Sequence, residues 1–187
     1  CHALGGKFTY PELRTVIDIG GQDSKVISLT PDGKMANFVM NDKCAAGTGR
    51  FLDVMAQILQ IDINDMGKYA ADADEVVRIS NTCTVFAESE VISQMAAGVR
   101  MENLIAGICE SVGAKVSTLA RRVGAKEMVC LSGGVARNSA VRKSLEKNLG
   151  VTIQCSEDAQ YFGALGAALY AWDQAKEKNG GKLWQRK

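Results

Sequence analysis

The order of apolar and polar residues along this chain predicts a three-stranded meander followed by alternating helices and strands. Apolar runs bounded by turn residues predict strands over residues 14–20, 24–29 and 34–40. Beyond residue 50, a 3.6-residue apolar period predicts helices and short apolar runs predict strands. The predicted helices cover residues 51–59, 65–71, 84–97 and 102–123, a stretch ending at 149, and 161–176; the later strands cover 128–131 and 151–154, with an extended segment over 76–79. Strands first, and then helices alternating with strands, indicate an α/β lobe with a mixed sheet.

Composition limits the classes of protein to which this chain belongs. With 187 residues, 47% of them hydrophobic, the chain can bury the core of one domain or one large lobe. A net charge of +1 gives no basic surface, so we expect no nucleic-acid partner. Every apolar stretch is broken by charge or glycine before 18 residues, so we expect no membrane span. Six cysteines without a CxxC pair fit a reducing cytoplasm.

The two ends of the chain carry expectations of their own. Position 1 is Cys rather than Met, which predicts that the chain is part of a longer protein. Residues 177–187 follow the last apolar period, and we expect them to form a flexible tail.

An octapeptide at the first predicted turn has the residue types that phosphate and Mg²⁺ require. Asp18, Gly20, Gly21, Gln22 and Asp23 lie between two predicted strands. The glycines let the backbone approach a phosphate closely, and turn amides can surround an anion. The two carboxylates are hard oxygen ligands for Mg²⁺, and the glutamine could orient a water. The alternative is a plain hairpin turn with two solvated acids, and the octapeptide by itself leaves both open.

A second glycine turn, Ser132–Asn138, connects a predicted strand to a predicted helix. A nucleotide phosphate can bind where a helix begins after such a turn. Any tight strand-to-helix connection can also use a glycine pair, so a structural role is the simpler interpretation. The chain contains no GxxxxGK[ST] motif and no GxGxxG motif after a strand, which excludes a P-loop.

Two cysteines precede predicted helices. Cys44 stands before a small-residue turn at 45–49 that opens an amphipathic helix, and Cys83 stands before the helix that begins near residue 84. A thiol near the positive end of a helix dipole is favoured as a thiolate. Two thiolates are half of the usual ligand set of an iron–sulfur cluster, although a lone cysteine is more often a small core residue.

The other cysteines and the one histidine give weaker signals. Cys109 and Cys130 lie in apolar patterns and are expected to be inert core residues. His2 is the only histidine and lies at the start of the chain. A Cys/His zinc site or a histidine-based catalytic triad therefore has little support.

Taken together, these segments resemble the ATP-dependent activators of 2-hydroxyacyl-CoA dehydratases and the related ATPase subunits of benzoyl-CoA reductase. The matching segments are residues 16–23, 41–52, 83–94, 133–136 and 160–170. The resemblance implies the two-lobed ribonuclease H-like fold that actin and sugar kinases share. It also implies a homodimer that holds one [4Fe-4S] cluster, with Cys44 and Cys83 contributed by each subunit.

The resemblance further implies roles for the residues of both glycine turns. Asp18 and Asp23 would handle Mg²⁺ and phosphate, with Gln22 near the attacking water. Residues implied in cofactor binding are Gly20, Gly21, Ser24, Lys25, Gly47, Thr48, Gly49, Gly133, Gly134, Val135 and Asn138. The helix linking the cluster region to the nucleotide region would begin at Gly47, Thr48 and Gly49.

The activity implied is ATP-driven transfer of one electron to an iron–sulfur dehydratase or reductase, with ferredoxin or flavodoxin as the donor. Members of this family carry a first lobe with its own phosphate loop, and we expect this chain to be the second lobe. Two alternatives are a sugar kinase of the same superfamily, and a lobe that dimerises and binds nothing by itself. The paired cysteines argue against the kinase.

Overall fold

The computed structural model describes residues 1–178, which form a mixed five-stranded sheet with helices on both faces. The strands are β1 (Thr15–Ile19), β2 (Ser24–Leu29), β3 (Met35–Asn41), β4 (Val129–Ser132) and β5 (Ile153–Gln154). Their order across the sheet is β3-β2-β1-β4-β5. The first three strands pair antiparallel, as the predicted meander requires, whereas β4 is parallel to both β1 and β5. The prediction of a mixed α/β sheet is confirmed.

Seven α-helices cover the sheet in the described part of the chain. The helices are α1 (His2–Thr9), α2 (Gly49–Leu59), α3 (Met66–Ala71), α4 (Thr84–Ala96), α5 (Met101–Arg122), α6 (Ser139–Leu149) and α7 (Phe162–Lys178). Helices α2 to α6 contribute to one large apolar core, whereas α1 and the start of α7 pack over a smaller core on the other face. None of these helices is both long and apolar enough to cross a membrane.

The alternation of side chains along β1 explains how one strand serves two cores. Val16 belongs to the small core, whereas Ile17 and Ile19 belong to the large one, and all three are fully buried. Each such side chain stabilises the fold by roughly 1.5–3 kcal/mol through burial. The apolar face predicted for α2 is confirmed, because its buried residues include Phe51 and Met55.

Helix α1 is the element that the sequence pattern did not predict. Its segment contains Gly5 and Gly6, which lower helix propensity. A Cβ atom at Gly5 would lie 2.1 Å from the carbonyl oxygen of Phe162, so the glycine permits backbone contact between α1 and α7. Tertiary packing therefore stabilises a helix that its own sequence disfavours.

The extended segment predicted over 76–79 forms no strand in the described structure. It packs on α5 instead, where the Val77 amide donates to the Asn103 carbonyl oxygen at 3.4 Å. A Cβ atom at Gly107 would come within 1.9 Å of the Val77 carbonyl oxygen, so a glycine is required for this approach. Helix α7 extends two residues beyond its predicted end at 176, and the rest of the expected tail lies outside the described residues.

Candidate functional site

The two glycine turns line one cleft of about 450 Å³. Strands β1 and β4 are parallel neighbours, so the turns that follow them lie at the same edge of the sheet. The carboxyl ends of parallel strands are the usual place for ligands in open α/β sheets. Predicted site residues in the cleft lining are Gly20, Gly21, Gly49, Gly134, Val135 and Asn138.

Asp18, at the end of β1, is the centre of a cluster of charged and polar groups. The residue is only 2% exposed. Lys25 Nζ lies 3.0 Å from Asp18 Oδ2 and 2.7 Å from Asp23 Oδ2, so the ammonium group bridges both carboxylates. Ser132 Oγ donates a hydrogen bond to Asp18 Oδ1 at 2.8 Å, and His2 Nδ1 lies 3.2 Å from the same oxygen. The alternative of two solvated acids is therefore wrong for Asp18.

The electrostatics of this cluster keep Asp18 ionised. Burial raises the pKa of its carboxyl, but the contact with the His2 ring and its charge, together with hydrogen bonds from Lys25 and Ser132, outweigh burial and lower the pKa to about 2. Burial lowers the pKa of Lys25, but hydrogen bonds to Asp23 and Asp18 outweigh that effect and raise it. At neutral pH the cluster presents anionic oxygens beside a cationic amine, a combination suited to Mg²⁺ and phosphate.

The second glycine turn lies directly against the end of β1. Gly133 has φ +87° and ψ 175°, a backbone conformation open almost only to glycine. A Cβ atom there would lie 2.3 Å from the Ile19 carbonyl oxygen. The structural role expected for this glycine pair therefore holds for Gly133, while Gly134 lines the cleft. Asn138 caps α6, because its Oδ1 accepts from the amides of Ala140 and Val141 at 3.0 and 3.1 Å.

Helix α2 begins in hydrogen-bond contact with the first glycine turn. The Gly49 amide donates to the Gly20 carbonyl oxygen at 2.8 Å, and the Arg50 amide donates to the Gly21 carbonyl oxygen at 2.7 Å. These amides are among those that a helix leaves unpaired at its first turn. The start of α2 and the turn are thus held together by backbone atoms.

The segment between Cys44 and α2 is held by its own hydrogen bonds. Asn41 Nδ2 donates to the carbonyl oxygens of Cys44 and Ala46 at 2.9 and 3.0 Å. Thr48, fully buried, donates from Oγ1 to the Ala45 carbonyl oxygen at 2.7 Å. Gly47 has φ +88°, which favours glycine. Cys44 is therefore connected to the glycine turn by a short, well-bonded stretch of chain.

The loops of Cys44 and Cys83 lie against each other. Cys44 Sγ is 3.7 Å from the carbonyl oxygen of Thr82, the residue before Cys83, and both cysteines are partly exposed. Cys83 is the N-cap of α4, as expected for a thiol at a helix start. Cys44 precedes Thr48, the N-cap of α2, by four residues, so its position in the chain does not place it at the helix end.

The structure separates the remaining cysteines from this pair. Cys109 and Cys130 are buried, and burial raises the pKa of each thiol to about 12, as expected for inert core residues. Within residues 1–178, no group of three or more His, Cys, Asp or Glu side chains is arranged to hold a metal ion. Cys44 and Cys83 are therefore two partly exposed thiols in adjoining loops, and the described residues do not complete a metal site around them.

Some site residues were missed by sequence reasoning, and others lie away from the cleft. His2 and Ser132 contact Asp18. The sequence pointed only to the serine as part of a site, because it stands next to the glycine pair. Arg137 and Gln160 also line the cleft. Ser24 is fully buried, and its hydroxyl has no hydrogen-bond partner among the described residues. Gln22 is exposed in the turn.

Comparison with known proteins identifies the class that this fold and site define. A profile of the BadF/BadG/BcrA/BcrD ATPase family matches residues 1–171, and the chain belongs to this family. The chain is 51% identical over 177 residues to the 2-hydroxyisocaproyl-CoA dehydratase activator of Clostridioides difficile, covering 95% of this chain and 66% of that protein. It is 57% identical over 175 residues to the (R)-2-hydroxyglutaryl-CoA dehydratase activating ATPase of Acidaminococcus fermentans, covering 94% and 67%.

Solved structures give the same answer for the fold. The activator of the 2-hydroxyisocaproyl-CoA dehydratase from Clostridium difficile, with bound ADPNP, matches with a TM-score of 0.93 and 49% identity, covering 100% of this chain and 70% of that one. Component A of the Acidaminococcus fermentans (R)-2-hydroxyglutaryl-CoA dehydratase matches with a TM-score of 0.91, covering 94% and 67%. The family resemblance and the actin-like fold are confirmed. The chain spans about two thirds of the length of these relatives.

Proposed function

We propose that this chain is the nucleotide-binding and cluster-ligating lobe of an ATP-dependent activator. The activator would transfer one electron to an iron–sulfur dehydratase or reductase that acts on CoA thioesters. The observation that carries the proposal is the backbone contact between the glycine turn and the start of α2, because the Cys44 segment leads directly into that helix. Two relatives named as dehydratase activators, 51% and 57% identical, support it.

The cleft at the two glycine turns is the proposed ATP and ADP site. Its turn amides and the helix start suit the phosphates, and Arg137 and Gln160 provide further polar groups in the lining. Asp18 and Asp23 offer carboxylate oxygens for Mg²⁺, directly or through water, and the exposed Gln22 side chain can reach a water. The ammonium group of Lys25 would leave the two carboxylates and bind a phosphate oxygen instead. The activator structure with bound ADPNP supports nucleotide binding.

A [4Fe-4S] cluster is the proposed redox group, and a second copy of this chain is the source of its other two ligands. A cluster of this type takes four thiolates, and Cys44 and Cys83 lie in adjoining, partly exposed loops. A two-fold axis supplies the second pair from the same residues. When bound, the cluster would provide one-electron chemistry, with ferredoxin or flavodoxin as the donor.

The surface of α4 supports the homodimer. Only Ala87 and Val91 of this helix are buried, although the helix is rich in apolar residues. Val85, Phe86 and Ile92 are 63%, 67% and 50% exposed. An exposed apolar surface that begins next to Cys83 is the kind of surface that a protein partner covers.

Coupling between nucleotide and cluster has a definite energetic size. For one electron, ~59 mV corresponds to a tenfold change in equilibrium. If nucleotide binding shifts the reduction potential by about 100–200 mV, the free energy of nucleotide binding must differ by roughly 2–5 kcal/mol between the oxidised and the reduced protein. That free energy is within the range of ordinary conformational coupling or slightly above it, and movement of the lobes is the proposed source.

Iron content and solution mass, measured together on anaerobically prepared protein, test this proposal. We expect a dimer with about two iron atoms per chain, as one cluster per dimer requires. Cys44→Ser or Cys83→Ser should remove the iron, whereas Cys155→Ser, a partly exposed control outside the two loops, should retain it. Full iron content in either of the first two variants would contradict the ligand assignment.

Calorimetric titration with ADP separates the proposal from its alternatives. A lobe that only dimerises would show no binding heat. A sugar kinase would bind nucleotide, remain free of iron and phosphorylate a sugar.

A further inference from the structure

His2 is the first residue of α1, and its ring lies against the end of β1. Its Nδ1 atom is buried and lies 3.2 Å from Asp18 Oδ1. This nitrogen makes no well-aligned hydrogen bond to any described residue, so its contact with Asp18 is one of distance and charge. A buried ring nitrogen that faces one ionised carboxylate is a donor placed for that carboxylate.

Backbone contacts fix the position of the His2 ring. Helices α1 and α7 cross at glycines, since a Cβ atom at Gly5 would lie 2.1 Å from the Phe162 carbonyl oxygen and one at Gly166 would lie 1.8 Å from the Cys1 carbonyl oxygen. A Cβ atom at Gly163 would come within 2.9 Å of the His2 ring. The ring therefore packs on Gly163, and its distance from α7 is fixed by main-chain contacts between the two helices. Main-chain atoms cannot move aside as long side chains do.

The contacts to Asp18 divide its two oxygens into different roles. Oδ1 accepts a hydrogen bond from Ser132 on β4 and lies 3.2 Å from the His2 ring nitrogen on α1, and both side chains belong to packed elements. Oδ2 is held by Lys25, whose flexible side chain is shared with Asp23. If the lysine turns toward a phosphate, Oδ2 becomes free while Oδ1 stays fixed.

We propose that His2 is a positioning residue that donates from Nδ1 to Asp18 and orients its free oxygen toward the Mg²⁺–nucleotide. This rests on the proposed function for the role of Asp18. Fixing a metal-facing carboxylate in one orientation lowers the reorganisation needed in the transition state, so the contribution is to turnover rather than to nucleotide binding.

Two substitutions of opposite character test the role. His2→Asn keeps a donor near the Nδ1 position and loses ring volume, whereas His2→Phe keeps the ring and loses the donor. We expect His2→Phe to lower kcat for ATP hydrolysis roughly ten- to hundred-fold with little change in KM, the size of a lost hydrogen bond to a charged group. His2→Asn should stay within about threefold of wild type. If His2 only fills space between the helices, His2→Asn should lower kcat more than His2→Phe does. That result would overturn the proposal.

A second measurement keeps failure of this proposal distinct from failure of the proposed function. His2 is the only histidine of the chain, so its ¹⁵N imidazole resonances can be read without assignment. Without nucleotide, we expect a slowly exchanging Nδ1 proton that is lost in Asp18→Asn and retained in Asp173→Asn, an exposed control. If the His2 imidazole resonances are the same in Asp18→Asn as in wild type, the proposal is overturned, whatever the ATPase measurement shows. If wild type hydrolyses no ATP, the resonance comparison alone decides.

Discussion

The amide of Gly49 donates a hydrogen bond to the carbonyl oxygen of Gly20 at 2.8 Å, which joins the first residue of α2 to the glycine turn after β1. The neighbouring Arg50 amide makes the same kind of contact with Gly21 at 2.7 Å. A Cβ atom at Gly49 would lie only 3.0 Å from the Gly20 oxygen, so a side chain there would push the two elements apart. Any shift of the turn is therefore passed to α2 through main-chain atoms, close in the chain to Cys44.

Substitution of Gly133 should destabilise the fold strongly. The residue combines a backbone conformation that costs other residues about 1–3 kcal/mol with a Cβ position 2.3 Å from the Ile19 carbonyl oxygen. We expect Gly133→Ala to lower the free energy of unfolding by roughly 3 kcal/mol or more in denaturant titration. Gly134→Ala is the matched control, because a Cβ atom there meets nothing within 4 Å, and its effect should stay within about 0.5 kcal/mol. Equal effects at the two positions would contradict the steric argument.

Substitution of Phe86 should separate the proposed dimer without unfolding the chain. This side chain is 67% exposed on α4, so Phe86→Asp should change the free energy of unfolding by no more than about 0.5 kcal/mol. It would place a charge on the apolar surface next to Cys83, and the solution mass measured by light scattering should fall to that of a monomer. Tyr170→Ser on α7, where Tyr170 is 60% exposed, should remain a dimer. A dimeric Phe86→Asp variant would show that the interface lies elsewhere.

Thiol reactivity should divide the cysteines into two groups. Burial raises the pKa of Cys109 and Cys130 to about 12, so at pH 8 both are protonated as well as inaccessible. In cluster-free, folded protein, iodoacetamide should modify Cys44 and Cys83, which are partly exposed, well before either buried thiol. Peptide mass mapping over time measures the order. Early modification of Cys109 or Cys130 in folded protein would contradict their burial.

The ionised Asp18 should stabilise the fold in a pH-dependent manner. Its pKa is lowered from the ordinary 3.8 to about 2, so its contribution is present above pH 4 and is lost as pH falls from about 4 to 2. The shift corresponds to about 2 kcal/mol. We expect the difference in free energy of unfolding between wild type and Asp18→Asn to shrink by roughly that amount across this interval. A difference that is constant from pH 5 to 2 would show that the carboxylate is not held as described.

Much of the fold could be predicted from the sequence because its elements are amphipathic or bounded by turn residues. The strand Ser24–Leu29 has its predicted bounds, and α2 and α5 lie within two residues of theirs. Helix α1 could not be predicted in this way, because its two glycines lower helix propensity. Their advantage, close backbone contact with α7, exists only in the folded chain. The segment over 76–79 has strand-like residues, but the structure gives it a helix, α5, as its neighbour rather than a strand.

The sequence alone determined the chemistry that this chain can offer: two glycine turns, acids beside the first of them, and two cysteines ahead of helices. Local residue types and spacing encode such features, so they can be read without coordinates. Which of these groups come into contact depends on the packing of the elements. The parallel pairing of β1 with β4 brings together two turns that are more than a hundred residues apart, and the crossing of α1 and α7 places His2 on Asp18. Contacts of this kind depend on how packed elements align in space, which no local pattern of residues records.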